Sequence, residues 1–161
     1  MQRVTWDTFY MRQAYQWACQ STCAKHKTGC VVVREGRVVC SGFNGVPSGM
    51  MHCEDYWAQK DESKNEDYYD SDVFKLDHRQ WSLTHEMHGE TNALLFAAKH
   101  GIELNDAIMY SYMEPCERCA LSIKSAGIAK VFFAKDHHGT GKALLEELGV
   151  VCEKLAYKAT D

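Results

Sequence analysis

Two short stretches of the sequence carry side chains that could hold a metal ion. HEMHGE places His88 and Glu90 directly before an apolar run with helical spacing, and EPCERC places Cys116 and Cys119 three positions apart after a proline. Because proline is favoured in the first turn of a helix and residues three apart share a helix face, both sulfurs can point to one spot. The partial positive charge of the helix N-terminus favours the thiolate that a metal binds. A Cys-x-x-Cys motif alone could equally be a redox pair or a chance occurrence.

Taken together, the two stretches predict a catalytic zinc site. His88, Cys116 and Cys119 are ligands of the kind that zinc takes, and they leave the fourth corner of its tetrahedron open to water. His-x-Glu followed by Pro-Cys-x-x-Cys is the pattern of zinc deaminases that act on cytosine or adenine, in which the glutamate carries protons and is not a ligand. Glu90 is therefore the predicted general acid and base. The alternative is that His88 and Glu90 only cap a helix while the cysteines pack in the core, although capping favours Ser, Thr, Asp or Asn.

The hydrophobic pattern predicts the elements that must position these residues. Trp6, Phe9 and Tyr10 begin an apolar helical face, and a glycine turn in REGR separates two β-rich runs. The predicted elements are a helix in 5–22, strands in 30–34 and 37–43, a helix in 89–100, a strand in 107–113, a helix in 119–127, a strand in 130–134, a helix in 142–149 and a strand in 150–155. A hairpin followed by alternating helices and strands predicts an α/β fold, with helices on both faces of one sheet.

An acidic segment interrupts this pattern. Residues 54–77 carry nine acidic side chains against three lysines and have no sustained period. We expect an inserted, solvated excursion with little apolar surface, at about 54–87, within a single domain that spans residues 1–161.

Composition limits the partners and the compartment. The chain has 161 residues, a formal net charge of -4 and eight cysteines. An acidic balance argues against long nucleic acid, which needs a basic surface. The sequence lacks an apolar run of about 20 residues and an apolar signal core, so we expect no membrane partner and a cytoplasmic location. Cys19, Cys30, Cys40 and Cys152 lie in apolar segments and are interpreted as packing residues.

Beyond the zinc motif, several stretches resemble the deoxycytidylate (dCMP) deaminases, and those of tailed phages in particular. STCAKHKTGCVVV, GFNGVPSG, HGETNALLFAAKHG, MYSYMEPCERCALSIKSAGIAKVFF and LLEELGVVCEKL occur in the order seen in that family. The resemblance implies a cytidine deaminase-like three-layer α/β/α sandwich on a five-stranded mixed sheet. It also implies conversion of dCMP to dUMP for thymidylate synthesis, a homohexamer, activation by dCTP (which could bring Mg²⁺) and inhibition by dTTP. A viral protein would act in the host cytoplasm.

The resemblance also implies a second zinc ion. In phage-type relatives, two cysteines, a histidine and a glutamate hold it, and the matching positions here are Cys23, Cys53, His78 and Glu86. Four protein ligands would close the coordination shell, as in a structural site. The alternative is that Cys23 and Cys53 are plain buried thiols.

Substrate and effector residues follow from the resemblance alone. Asn44 would hydrogen-bond the sugar hydroxyl, and Lys25 falls where many relatives place an arginine near the 5′-phosphate; the alternative for Lys25 is a solvated surface lysine. The expected regulatory or interface residues are Gly42, Phe43, Gly45, Pro47, Gly49, Phe96 and Lys99.

Two departures and two rival functions stay open at this point. Gly89 and Thr91 stand where relatives usually have alanine and an apolar residue, so dCTP is a further candidate substrate. A deaminase of bases in tRNA or single-stranded DNA shares the zinc motif, but it should show a basic groove. A non-catalytic zinc-binding assembly module would need neither Glu90 nor an open zinc corner.

Overall fold

The computed structural model describes residues 3–60, 66–137 and 139–157. Residues 61–65 of the predicted acidic excursion therefore lie outside the described part, as do both ends of the predicted domain.

The described residues form one five-stranded sheet. Its strands are β1 (Gly29–Arg34), β2 (Arg37–Phe43), β3 (Ile108–Met113), β4 (Lys130–Lys135) and β5 (Val151–Lys154). The spatial order is β2-β1-β3-β4-β5, in which β1 runs antiparallel to β2 and β3, whereas β3, β4 and β5 are parallel. The predicted mixed sheet is thus confirmed.

Helices cover both faces of this sheet. One face is covered by α1 (Trp6–Ala18), and the other by α5 (Gly89–His100), α6 (Glu117–Ser125) and α7 (Gly141–Glu147). The remaining described helices, α2 (Cys53–Gln59), α3 (Glu66–Asp70) and α4 (Asp72–His85), form the acidic excursion. Alternate strand residues separate the two cores, since Val31 and Val33 pack with α1 while Cys30 and Val32 pack with α5, α6 and α7. The predicted three-layer α/β/α sandwich is therefore confirmed. None of the described helices has the length and apolar character that crossing a bilayer requires.

The N-terminal helix buries only part of the expected stripe. Trp6 and Phe9 are 58% and 42% exposed, whereas Tyr10 and Met11 are buried. Cys19 is also exposed, so its interpretation as a packing residue was wrong. The helix packs through small side chains such as Ala14, which allow a close approach to the sheet and leave the large rings at the margin.

The acidic excursion has more order and more apolar surface than the sequence predicted. It contains α2, α3 and α4, and Trp57 and Phe74 are buried in it. Their rings contact one another edge-on at 5.3 Å between centroids, and Tyr56 stacks on Trp81 at 4.7 Å. The aromatic residues are spaced irregularly along short helices, so no single period revealed them.

The close contact between β2 and the first turn of α5 positions the segment that carries His88 and Glu90. A Cβ atom added at Gly42 would lie 2.4 Å from the carbonyl oxygen of Gly89 and 2.6 Å from the nitrogen of Ala93. At Gly89 an added Cβ would lie 3.3 Å from Cα of Phe43. Backbone therefore packs on backbone here, most tightly at Gly42, whereas a methyl group at Gly89 would require a shift of only a few tenths of an ångström.

We predict that Gly42→Ala destabilises the protein, because the new methyl group must push α5 away from the sheet. The free energy of unfolding in urea should fall by about 1–3 kcal/mol, the usual cost of overpacking. Gly45→Ala is the matched control, since its added Cβ would meet no described atom closer than 3.8 Å. Equal stability of the two variants would contradict the proposed backbone contact.

Candidate metal centre and active site

The N-termini of two helices bring the first set of potential ligands together. His88 is the N-cap residue of α5 and Cys116 is the N-cap residue of α6, both with extended backbone, while Cys119 lies one turn into α6. The side chain of His88 makes no capping hydrogen bond to α5. The helix dipoles favour negative charge at this point.

The spacing of these atoms fits a tetrahedral metal site. Nδ1 of His88 lies 3.4 Å from Sγ of Cys116 and 3.4 Å from Sγ of Cys119. Zinc bound at its usual distances to nitrogen and sulfur would place these atoms about 3.6 Å apart. The three residues form a cluster whose ligand atoms all lie within 4.8 Å of one another, and we call it the first cluster. Because His88 is exposed and Cys116 half-buried, this cluster is open to solvent on one side.

The two sulfurs of the first cluster share one proton, since the hydrogen bond between them raises the pKa of Cys119 while it favours the anionic form of Cys116. The hydrogen bond with Cys119 lowers the pKa of the Cys116 thiol to about 3, and His88 adds to the effect. In turn, the hydrogen bond with Cys116 raises the pKa of His88 to about 9. A metal cation can take the place of these protons, as it does when zinc binds cysteine and histidine.

The carboxylate of Glu90 lies beside the first cluster without belonging to it. Its side chain is only 3% exposed, and burial raises its pKa. Oε2 of Glu90 lies 3.7 Å from Sγ of Cys119, and Oε1 accepts a hydrogen bond from Oγ of Ser111 at 3.3 Å. A buried carboxyl group next to a metal site is suited to taking up and releasing protons near neutral pH.

A second cluster comprises Cys23, Cys53, His78 and Glu86, whose ligand atoms also lie within 4.8 Å of one another. Nε2 of His78 lies 3.3 Å from Sγ of Cys23 and 3.4 Å from Sγ of Cys53. Three of the four residues are buried and Glu86 is half-buried. The structure therefore brings together the whole set that the resemblance implied.

The electrostatics of the second cluster also fit a bound cation. Oε1 of Glu86 is buried and has no hydrogen-bond partner among the described residues. Burial and the nearby negative charge of Cys23 raise the pKa of Glu86 to about 7. Hydrogen bonds with Cys53 and His78 lower the pKa of Cys23 to about 3. Three potentially anionic groups so close together are costly unless a cation joins them.

The predicted substrate residues lie on two adjoining loops, with Lys25 between α1 and β1 and Asn44 directly after β2. Asn44 is buried, and its amide bonds to the backbone on both sides, accepting from the nitrogen of Thr28 at 2.9 Å and donating to the oxygen of His26 at 2.6 Å. Any bond to a sugar hydroxyl would use its remaining N–H or lone pair. Lys25 is half-buried, in the loop that also contains His26 and Thr28.

The GFNGVPSG loop is fastened to the segment that precedes His88. The backbone of Gly45 exchanges hydrogen bonds with that of Met87, at 3.1 and 2.8 Å. Phe43 stacks on Trp17 with 6.0 Å between ring centroids. Farther along, Pro47 accepts from Met50, and Gly49 has a φ of 90°, in the left-handed region. Gly42 therefore contributes to backbone packing and Gly45 to backbone pairing, independently of any regulatory role.

The remaining two residues of the expected regulatory surface lie on α5. Phe96 is 46% exposed and its ring lies 4.4 Å from that of His100, while Lys99 is also exposed. Both side chains thus face away from the core, as an interface or effector surface requires.

Sequence reasoning missed several polar residues around the first cluster. Oγ1 of Thr91 lies 3.8 Å from Sγ of Cys119. Glu114 accepts from the backbone nitrogens of residues 137 and 142, and Glu117 accepts from that of Thr140, so both carboxylates hold the segment before α7. Both glutamates lie within two positions of Cys116, and this closeness in the sequence could have marked them as residues near the site. The sequence marks Thr91 only as a departure from the usual pattern of relatives, and nothing in it points to Ser111.

The α/β/α fold and a solvent-open His/Cys/Cys cluster beside a buried glutamate define a zinc-dependent deaminase class. Residues 4–135 match the family model described as "Cytidine and deoxycytidylate deaminase zinc-binding region". The chain belongs to this family and carries a zinc-binding deaminase domain. The expected relationship to the dCMP deaminases is thereby confirmed.

Individual relatives and structures agree with this membership. The chain is 32% identical to the deoxycytidylate deaminase of Enterobacteria phage T4 over 144 residues, which cover 77% of this chain and 75% of that protein. It is 31% identical to ComE operon protein 2 of Bacillus subtilis over 96% of this chain and 74% of that protein. The structure of a dCMP deaminase from cyanophage S-TIM5 in complex with dCMP and dUMP superimposes with a TM-score of 0.74 at 26% identity, covering 96% of this chain and 100% of that one.

We predict that Thr91→Val weakens zinc binding at the first cluster, because the hydroxyl can donate to the Cys119 thiolate and valine has the same shape without a donor. Loss of such an outer partner typically lowers metal affinity about 10-fold or more. Competition with a coloured chelator measures the change. Thr91→Ser keeps the hydroxyl and should bind zinc as the wild type does; equal weakening in both variants would assign the effect to packing.

Proposed function

We propose that this chain catalyses the hydrolytic deamination of dCMP to dUMP, with release of ammonia, at the first cluster. The observation that carries the proposal is the convergence of His88, Cys116 and Cys119 beside the buried carboxylate of Glu90. Relatives named deoxycytidylate deaminase and a neighbour solved with dCMP and dUMP support this choice of substrate. dCTP is a further proposed substrate alongside dCMP.

In the proposed mechanism the chain's own residues bind the metal and move protons. His88, Cys116 and Cys119 would hold a zinc ion, which supplies Lewis acidity that lowers the pKa of water at the open corner. Glu90 takes a proton from the attacking water at its carboxylate and delivers it to N3 of the cytosine ring. After addition at C4, Glu90 takes the proton of the new C4 hydroxyl group and delivers it to the exocyclic amine, so that the C4–N bond breaks, a carbonyl group forms and ammonia leaves. Burial of Glu90 suits this role, because a raised pKa makes the carboxyl group an effective acid as well as a base.

The sugar and the phosphate of the nucleotide would be held by Asn44 and Lys25. Asn44 would bond to the sugar hydroxyl through its free N–H or lone pair, and Lys25 would attract the 5′-phosphate as a point charge. The expected dCTP activation, dTTP inhibition, effector-bound Mg²⁺ and hexamer also stay proposals, with the exposed Phe96 and Lys99 as candidate surface residues. Cytoplasmic location, in a host cell if the chain is viral, stays a prediction.

We further propose that the second cluster holds a structural zinc ion. Its ligands come from the turn after α1, the start of α2, the middle of α4 and the residue that ends α4, so one ion would tie the excursion to the rest of the fold. A set of four protein ligands leaves no corner for water. The unpartnered oxygen of Glu86 supports this assignment.

The two rival functions fit less well. A base deaminase of tRNA or single-stranded DNA needs a basic groove, whereas this chain has a formal net charge of -4. A non-catalytic assembly module would have no use for a carboxylate buried beside an open cluster, because burial of such a group is costly.

An activity screen tests the proposed function. We expect the zinc-loaded protein to release ammonia from dCMP, faster than from deoxycytidine because Lys25 favours a phosphate, and we expect dCTP and dTTP to change the rate. Glu90→Gln should retain zinc and lose at least about 10²-fold in kcat, as expected when general acid–base catalysis is removed. Full activity of Glu90→Gln would reject the assigned role, and preference for the nucleoside would reject that of Lys25.

Metal analysis tests the second cluster. We expect two zinc ions per chain in the wild type and one in Cys53→Ala, which should also unfold at a lower urea concentration because the excursion loses its tie. Cys40→Ala, which removes a buried thiol outside both clusters, should keep two. A single zinc ion in the wild type would contradict the proposal without affecting the first cluster.

A further inference from the structure

We propose that Ser111 is a positioning residue for the carboxylate of Glu90, a role that rests on the function proposed above. Ser111 lies in β3, the middle strand of the sheet, and is fully buried. Its Oγ donates a hydrogen bond to Oε1 of Glu90 at 3.3 Å. The bond therefore connects the sheet to the first turn of α5, across the layer boundary at which the first cluster lies.

Packing alone does not account for a hydroxyl at this place. Ser111 pairs with Cys30 on one side and Phe133 on the other, and both belong to the apolar core beneath α5 and α6. A polar group buried in such a core is costly unless it forms a hydrogen bond. Glu90 supplies the bond, so the hydroxyl and the carboxylate account for each other's burial.

The bond gives the two oxygens of Glu90 different tasks. Oε1 is fixed to the sheet by Ser111, whereas Oε2 lies 3.7 Å from Sγ of Cys119 and faces the first cluster. The last torsion of a glutamate is broad and roughly two-fold, so an unattached carboxylate would turn. Fixing one oxygen leaves the other directed at the reacting groups.

Metal binding would make the Ser111 bond more important. Once Cys119 is a thiolate ligand it has no proton to donate to Oε2. Ser111 is then the side-chain donor to Glu90 that remains among the hydrogen bonds of the described residues. Glu90 must exchange protons repeatedly during turnover, and a neutral hydroxyl can stay bonded to it in either state by rotating.

Ser111→Ala tests the proposal by removing one oxygen atom. Because a hydrogen bond to a charged group is lost, we expect kcat to fall roughly 10- to 100-fold while KM for dCMP stays within about twofold. Ser111→Thr keeps the hydroxyl and should recover most of the activity. An unchanged kcat in Ser111→Ala, or no recovery in a folded, zinc-loaded Ser111→Thr, would overturn the proposal.

Cys30→Ala is the matched control for a packing defect. It removes one buried atom directly opposite Ser111 and leaves the bond to Glu90 in place. We expect its kcat to stay within about threefold of the wild type, and a loss equal to that of Ser111→Ala would overturn the proposal. If Ser111→Ala does not fold, Ser111→Cys replaces it as a variant of similar size with a weaker donor, and wild-type kcat there would be equally decisive.

An infrared measurement tests the bond without using activity. The difference spectrum of the wild type against Glu90→Gln isolates the carboxylate band of Glu90. Ser111→Ala should shift this band, and Cys30→Ala should not; an unshifted band would overturn the proposal. Absence of turnover on every cytosine nucleotide by the wild type would instead reject the proposed function, and the infrared result would still report on the bond.

Discussion

The contact between the backbone of β2 and the first turn of α5 is the constraint on which the rest of the site depends. Gly42 and Gly89 lack side chains where the two elements meet, so the helix begins almost on the surface of the sheet. His88 comes directly before that turn and Glu90 lies within it. If the helix were held one side chain farther away, Glu90 could not reach Ser111, and His88 could not meet the cysteines of α6. The absence of side chains at Gly42 and Gly89 therefore determines where the side chains of His88 and Glu90 lie.

The two clusters are connected through a very short piece of chain. Glu86 of the second cluster and His88 of the first are separated by Met87 alone, and the backbone of Met87 is paired with Gly45. Any ion held by the second cluster would therefore fix the chain two residues from a ligand of the first. This arrangement explains how an irregular, acidic excursion can precede a site that demands precise geometry. The aromatic rings around Trp57 also pack with Cys23 and Cys53, and so support the second cluster through hydrophobic contacts.

Much of this architecture could be predicted from the sequence, for identifiable reasons. Strands and helices after residue 88 have clear periods, and short spacing fixes Cys116 and Cys119 on one helix. The buried stripe of α1 could be predicted only in part: Tyr10 and Ala14 are buried as expected, whereas Trp6 is exposed because the helix lies too close to the sheet for its ring to fit between them. Ser111 could not be found either, since its partner is 21 positions away and only the packing of α5 on the sheet brings the two together. Resemblance supplied the second cluster, which spacing alone does not reveal.

The attachment of the segment before α7 has a consequence for variation in this part of the molecule. Glu114 and Glu117 hold it mainly by accepting hydrogen bonds from backbone nitrogens, and Glu117 also accepts one from the hydroxyl group of Thr140. Main-chain groups are common to every residue except proline, so a side chain such as that of His137 could be exchanged without loss of the bond that its backbone nitrogen makes. Gly141 is the exception, because an added Cβ would lie 1.8 Å from the oxygen of Pro115. This rim of the site can therefore diversify between related proteins while the cysteines beneath it keep their place.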